Sequence, residues 1–181
     1  MQIKYETKRL VLLIADESHA ALILDFLKRN HESFAPYEPS YPENYYTLKY
    51  QMMFHRASMK QFLKSTGLRY YLFEKGAPET ILGCVAVSDI KMGEEKSCSI
   101  SYKLDKDARG MGFAHEAVEF LIDEIAKEWG IHRIEADILP ENEDSIRFAK
   151  KLGFDFEGIA KSSHKVQGCW KDHARYAKII E

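Results

Sequence analysis

No apolar stretch in this chain approaches the roughly 18 residues a membrane-spanning helix requires. The opening residues, Met1-Gln2-Ile3-Lys4-Tyr5-Glu6-Thr7-Lys8-Arg9, hold no apolar segment and no small-residue cleavage site. Neither a leader nor a membrane partner is expected. Cysteine is scarce: Cys84, Cys98 and Cys169 form an odd, scattered set, which argues against a disulfide framework and for reduced thiols in a cytoplasmic protein. No charge sign dominates. Lys and Arg number 26 against 28 Asp and Glu, a net charge of −2, so the broad positive field that non-specific nucleic-acid binding needs is missing. Repeats and low-complexity tracts are also absent. What remains is 181 residues, 45% hydrophobic and 30% charged, the balance of one globular domain over residues 1–181. A chain of this size hides about 70% of its unfolded surface and needs no staples.

Periodicity sets out the elements. A strand is expected at residues 9–14. Asp16 then caps a helix over 17–30, with Ala20, Ile23, Leu24 and Leu27 on one face. Residues 33–46 carry Pro36, Pro39 and Pro42 among four tyrosines, which excludes a regular helix. This segment is either an ordered loop packed by its own aromatics or a wall of a substrate site. A helix over 46–65 leads to strands at 68–74, 80–90 and 97–104, a meander. Next come a helix over 113–129 ended by Gly130, a strand at 133–139 and a helix over 142–152. Strands at 154–163 and 170–180 flank a turn at 165–168. The order predicts a mixed α/β chain with one strand–helix–strand crossover in an otherwise antiparallel sheet.

The most informative stretch runs from Tyr102 to Glu116. A strand ends, a short polar link comes next, and Arg109-Gly110-Met111-Gly112-Phe113-Ala114-His115 opens a long helix. The first turn of a helix leaves N–H groups unpaired, with a partial positive charge from the macrodipole. Glycines admit a phosphate to the backbone, and Arg109 adds a full charge. The Walker pattern G-x-x-x-x-G-K-[ST] is absent. The dinucleotide pattern G-x-G-x-x-G fails because His115 stands at its third glycine.

The pattern R-x-x-G-x-A that Arg109, Gly112 and Ala114 do fill resembles the coenzyme A pyrophosphate loop of the GNAT acyltransferase superfamily. The segment from Asn142 through Ser145 to Leu152-Gly153-Phe154 resembles the family's N-x-x-S…K-L-G-F. Thr7-Lys8-Arg9-Leu10 resembles its opening strand, and Gly168, Asp172 and Tyr176 its closing "G-x-x-x-D-x-x-x-Y". Together these are most similar to the ribosomal-protein N-terminal acetyltransferase branch. The resemblance implies a GNAT fold: a mixed, mostly antiparallel sheet of about seven strands, splayed between the fourth and fifth, flanked by about four helices. It implies acetyl-CoA as co-substrate, no metal, and an amine acceptor attacked directly in a ternary complex. The acceptor is most simply the α-amine of a protein N-terminus. A small-molecule amine and a non-catalytic coenzyme A-binding domain are the alternatives, a nucleotide-binding module a further rival, and a homodimer is compatible.

Carried over residue by residue, the resemblance places the main chain of Tyr102 and Leu104 against the coenzyme. Arg109, Gly110, Met111, Gly112, Phe113, Ala114 and His115 fall around its pyrophosphate. Asn142 binds the coenzyme, caps a helix, or both. Many members use a helix tyrosine as the acid that returns a proton to sulfur; Ala149 stands there, and Ser145 is the branch's substitute. A glutamate expected near the strand tyrosine is replaced by Cys98 and Ser99. Glu135 and Asp137 share one face of the next strand, and Tyr102 and His115 lie close by in sequence. The candidate catalytic residues are Ser145, which is alternatively a first-turn helix serine bonding backbone, Tyr102 and Glu135, and the base is open to His115, Asp137 and the preceding region with His31, Glu32, Glu38, Glu43 and His55. Lacking a strong base suits an α-amine, of which roughly one in ten is neutral at pH 7. His164, Cys169 and His173 offer three metal ligands at best, too few for a usual zinc site.

Overall fold

A computed structural model describes residues 1–181. In chain order the elements are β1 (Lys4–Glu6), β2 (Leu10–Ile14), α1 (Ala20–Arg29), α2 (His31–Phe34), α3 (Leu48–Leu63), β3 (Leu68–Glu74), β4 (Ala77–Lys91) and β5 (Ser97–Leu104), then α4 (Phe113–Trp129), β6 (Arg133–Ile138), α5 (Glu143–Lys151), β7 (Asp155–Val166) and β8 (Cys169–Ile179). One eight-stranded sheet runs β1-β2-β3-β4-β5-β6-β8-β7. Every pairing is antiparallel except β5 with β6, joined by the α4 crossover. The strand and helix counts each exceed the expected number by one. β1 is too short to show periodicity and exists because it pairs with β2. α2 is a single turn before Pro36. The expected splay is present between the same two strands, now the fifth and sixth.

The sheet divides two cores. On one face α4 buries Leu121, Ile122 and Ile125 against Val85, Ile100 and Ile134, and α5 closes the end with Ala149. On the other, α1 lays Ile23, Phe26 and Leu27 over Tyr71, Phe73 and Cys84. Asp16 caps the chain before α1 as expected, its Oδ1 accepting the Ser18 N–H at 2.9 Å, but a 3-10 turn at Glu17–His19 delays the helix. The final hairpin turns more tightly than the sequence suggests. Gln167 and Gly168 both have positive φ, 48° and 78°, which makes a two-residue turn, so both strands extend to meet it.

Parallel pairing of β5 with β6 stops after Ser97–Arg133, Cys98–Ile134 and Ser99–Glu135. Beyond that β5 follows β4 to the Gly83–Leu104 pair, and β6 follows β8 to Ile138–Ala174. The strands part, leaving main-chain N–H and C=O groups of 100–104 and 136–138 facing each other without a ladder. Gly83 permits the approach on the β4 side: a Cβ there would stand 2.4 Å from the Lys103 carbonyl oxygen.

Two carboxylates, Asp105 buried and Glu116 half-buried, pin the chain beyond β5. Asp105, 4% exposed, accepts from Arg29 Nε at 2.7 Å, Asn30 Nδ2 at 2.8 Å and the Asp107 N–H at 2.9 Å. Asn30 Oδ1 in turn accepts the Lys106 N–H at 2.9 Å. Glu116 on α4 accepts from the Thr7 hydroxyl at 2.6 Å and from the Arg9 N–H and Nε, each at 2.7 Å. Burial alone would raise both carboxyl pKa values, but these donors outweigh it and hold both below the ordinary range. A carboxyl whose folded pKa is depressed adds stability that is complete above its unfolded value, about 3.9 for Asp, and is lost as pH falls through the lower folded value. Asp105→Asn is expected to lower the unfolding free energy by about 2 kcal/mol at neutral pH. The gap to wild type should close as pH falls below about 4. Denaturant titrations across that range check this; a gap that does not change with pH would assign the loss to packing.

Candidate active site

The link from β5 to α4 is built to present backbone amides. Asp105 caps a 3-10 turn at Lys106–Ala108, and Arg109 then runs extended. Gly110 and Gly112 take φ of 76° and 80°, a left-handed conformation that side chains resist. No side chain caps α4, whose N-cap is Gly112 itself. The first helical bond is Glu116 N–H to Gly112 O at 3.1 Å, so the amides of residues 111–115 have no acceptor within the protein. A Cβ at Gly110 would meet nothing within 4 Å, so the mouth is open there. Arg109 contacts only the Ser33 hydroxyl and makes no ion pair. Arg9 donates from Nη1 to the Met111 carbonyl at 2.8 Å and lies 4.6 Å over the Phe113 ring, which fixes the loop. Open amides, a free guanidinium and parted strands fit the pyrophosphate and the amide-bearing arm of acetyl-CoA.

At the parting, residues alternate between two faces. Tyr102 and Leu104 pack with the α4/α5 core, as do Ala136 and Ile138 of β6. The Tyr102 ring lies 4.4 Å from that of Phe148, and its hydroxyl is 3.4 Å from Ser145 Oγ. Burial pushes the Tyr102 phenol up, with the Ser145 hydrogen bond pulling the other way. Asn142 caps α5, its Oδ1 accepting the Ser145 N–H at 3.2 Å. Tyr102, Ser145, Asn142 and the 109–115 loop are thus drawn together by β5, α4 and α5. His115 leans along its own helix, Nδ1 3.5 Å from Glu119.

Glu135 belongs to the opposite face, at the last paired residue before the strands part, where it accepts from Arg133 Nε at 2.7 Å. Arg133 also grips Glu157. Asp137, two residues on, lies 3.7 Å from Arg175 Nε and 3.9 Å from His164 Nε2. This face is walled on two sides. Residues 35–46 do pack by their own aromatics, Tyr41 stacking on Tyr45 at 3.8 Å. They also reach over β5, where Glu38 pairs with Lys103 and Tyr41 receives Lys103 Nζ at 3.3 Å. The β7–β8 hairpin forms the other wall, and its tip is tied to the first: Gln167 donates from Nε2 to Ala35 O at 2.9 Å and from its main chain to Glu38 O at 3.2 Å.

Of the acidic and imidazole groups preceding the meander, only Glu38 reaches β5. His31 pairs with the Tyr46 hydroxyl at 2.8 Å. His55 is buried against the Tyr71 hydroxyl at 3.3 Å, and burial pushes its pKa down to about 4. Glu32 and Glu43 are exposed. The hairpin brings His164 to His173, ring centroids 4.9 Å apart, but Cys169 pairs with Val166 at the turn, and no three potential ligands gather. Sequence reasoning missed Gly83, Arg9 as a loop clamp, and the Asp105–Arg29–Asn30 cluster. Only Thr7 and Arg9 left a signal, inside the opening-strand pattern; their partner Glu116 lies more than a hundred residues away.

An acetyltransferase (GNAT) domain model matches residues 9–155. The chain is 31% identical to the probable N-acetyltransferase YjcK of Bacillus subtilis over 150 residues, 83% of this chain and 82% of that protein. It is 28% identical to the ribosomal protein uS5-alanine N-acetyltransferase of Escherichia coli over 174 residues, 95% and 88% of the two chains. The crystal structure of the ribosomal-protein-S5-alanine acetyltransferase of Vibrio fischeri superposes with a TM-score of 0.90 over 98% of this chain and 97% of that one, at 27% identity. With the parted strands, the open helix mouth and these matches in hand, the chain belongs to the GNAT family as an acetyl-CoA-dependent N-acetyltransferase.

Proposed function

We propose that this enzyme acetylates the α-amine of a protein or peptide N-terminus, by direct attack within a ternary complex. The observation that carries this reading is the two-sided gap between β5 and β6. One end meets the amides of the α4 mouth, and one face lies between the loop of residues 35–46 and the β7–β8 hairpin. Likeness to the uS5-alanine enzymes supports it.

In this reading the amides of residues 110–115 and Arg109 hold the pyrophosphate, and the freed main chain of Tyr102–Leu104 and Asn142 orient the pantetheine arm. Bound acetyl-CoA supplies an activated acetyl thioester at the gap. A main-chain N–H of β5 stabilises negative charge on the carbonyl oxygen as the amine attacks. Tyr102 and Ser145 stand together, and the pair returns a proton to the departing sulfur. Glu135, on the acceptor face, takes the amine proton through water. Because a useful fraction of α-amines is neutral near pH 7 and almost no lysine is, this modest base suffices for the first and not the second.

Mass spectrometry after incubation with acetyl-CoA decides the acceptor. Peptides with free N-termini should be acetylated at the α-nitrogen, and N-blocked peptides with internal lysines and simple polyamines should not; acetylation confined to small amines would sink the reading. Gly112→Glu, which puts a carboxylate at the helix mouth, should weaken coenzyme A binding by more than about tenfold by calorimetry. Left-handed strain of about 1–2 kcal/mol is expected alongside. Undiminished affinity would remove the loop's role. Ser145→Ala should lower kcat by about 10- to 100-fold with little change in coenzyme affinity. If kcat is preserved across pH, Ser145 is a helix residue only.

A further inference from the structure

Beneath α1 and α3, on the acceptor side of the sheet, lies a partly enclosed cavity of about 170 Å³ walled by the rings of Tyr41, Tyr45, Tyr50 and Phe54 and edged by Lys103 and Arg69. It has room for several waters or a short side chain. Its two cations differ. Lys103 is neutralised by Glu38. Arg69 makes no ion pair. Its one polar contact is from Nη1 to the Cys84 thiol at 3.7 Å, with the Phe54 ring 5.8 Å away. Every fully buried side-chain nitrogen and oxygen in the molecule has a hydrogen-bond partner. The remaining nitrogens of Arg69 have none, so they are reachable by solvent, and the cavity is what Arg69 lines. A guanidinium left unpaired among aromatic rings is costly until an anion joins it. Its planar donor fork matches a carboxylate in two parallel bonds.

Strand register puts Arg69 in line with the parted stretch of β5. Arg69 is aligned with Ala86 of β4, and Ala86 with Ser101 of β5, so all three share a face. Ala86 is small and Ser101 is exposed, so nothing bulky stands in the row. Ser101 belongs to the stretch of β5 that has left β6. Two strand spacings, about 10 Å, separate it from Arg69, and the guanidinium reaches Cys84 on the intervening β4, the residue aligned with Lys103 of β5.

We propose that this recess binds a carboxylate carried by the acceptor, with Arg69 as the specificity-determining contact. The proposal rests on the acetyl-transfer reading above and narrows its substrate class to acidic acceptors. One chemistry has two sources: an Asp or Glu side chain within the first residues of a peptide, or the carboxylate of a free amino acid.

The test compares twins that differ only by acid and amide. Peptides with Asp or Asn, and Glu or Gln, at the first or second residue form one arm; free amino acids and their amides form the other. Turnover is measured with acetyl-CoA for wild type, Arg69→Gln and Arg69→Lys. In at least one arm, wild type should prefer the acid by about tenfold or more in kcat/KM, carried by KM. Arg69→Gln should treat the twins alike, and Arg69→Lys should regain part of the preference. Preference in the peptide arm assigns the carboxylate to a side chain; preference in the amino-acid arm alone keeps this proposal while the N-terminal reading fails. Equal constants for the twins in wild type, or an undiminished preference in Arg69→Gln, overturns it. If Arg69→Gln does not fold, Arg69→Lys and the wild-type pairs decide by the same criterion. If no amine is acetylated, calorimetric titration of the twins decides, with equal affinities overturning the proposal.

Discussion

A parallel strand pair that stops hydrogen-bonding after three residue pairs is the constraint on which this molecule depends. Opening β5 from β6 forfeits main-chain bonds that a continuous sheet would make, at a net cost of about 1 kcal/mol each. The loss is tolerated because neither strand is loose: β4 holds β5 to its last residue and β8 holds β6 to its own. The aromatic pair Tyr102–Phe148 packs β5 against α5. The gap is thus a rigid feature with unpaired donors and acceptors along it.

The charges around the helix mouth answer to the same need. In the proposed reading the loop receives a diphosphate, so it has to be positive outward, yet it must be anchored. Asp105 and Glu116 do the anchoring from beneath, and each is matched by an arginine, Arg29 and Arg9, as well as by neutral donors. Arg109 and the amides of α4 are left over, so the outward-facing balance stays positive. The acceptor face is built on a different principle. There the loop of residues 35–46 and the β7–β8 hairpin are tied to each other through Gln167, and Arg69 beneath α1 and α3 has no carboxylate partner.

Much of this fold and site is legible in the sequence. The helix mouth is readable because a strand end, two glycines and a helix start lie within fifteen consecutive residues, and local rules decide local structure. The parting of the two strands is readable only through resemblance, because no residue in β5 or β6 encodes where pairing ends. β1 is invisible because three residues carry no period, and the hairpin turn reads too wide because Gln167 adopts a positive φ that its type does not advertise. The bonds from Gln167 to Ala35 and Glu38 help hold it there.

From the order of residues alone came the element sequence, the phosphate-sized turn and the chemistry it suits, since each rests on neighbours along the chain. Tertiary structure decided which distant groups share a site: Tyr102 meeting Ser145, Arg9 and Thr7 clasping Glu116, Glu135 turned to the face opposite Tyr102, and Arg69 left without an anion. Partnerships of that kind depend on strand register and helix packing, which sum over many weak contacts and leave no mark in any single stretch of sequence.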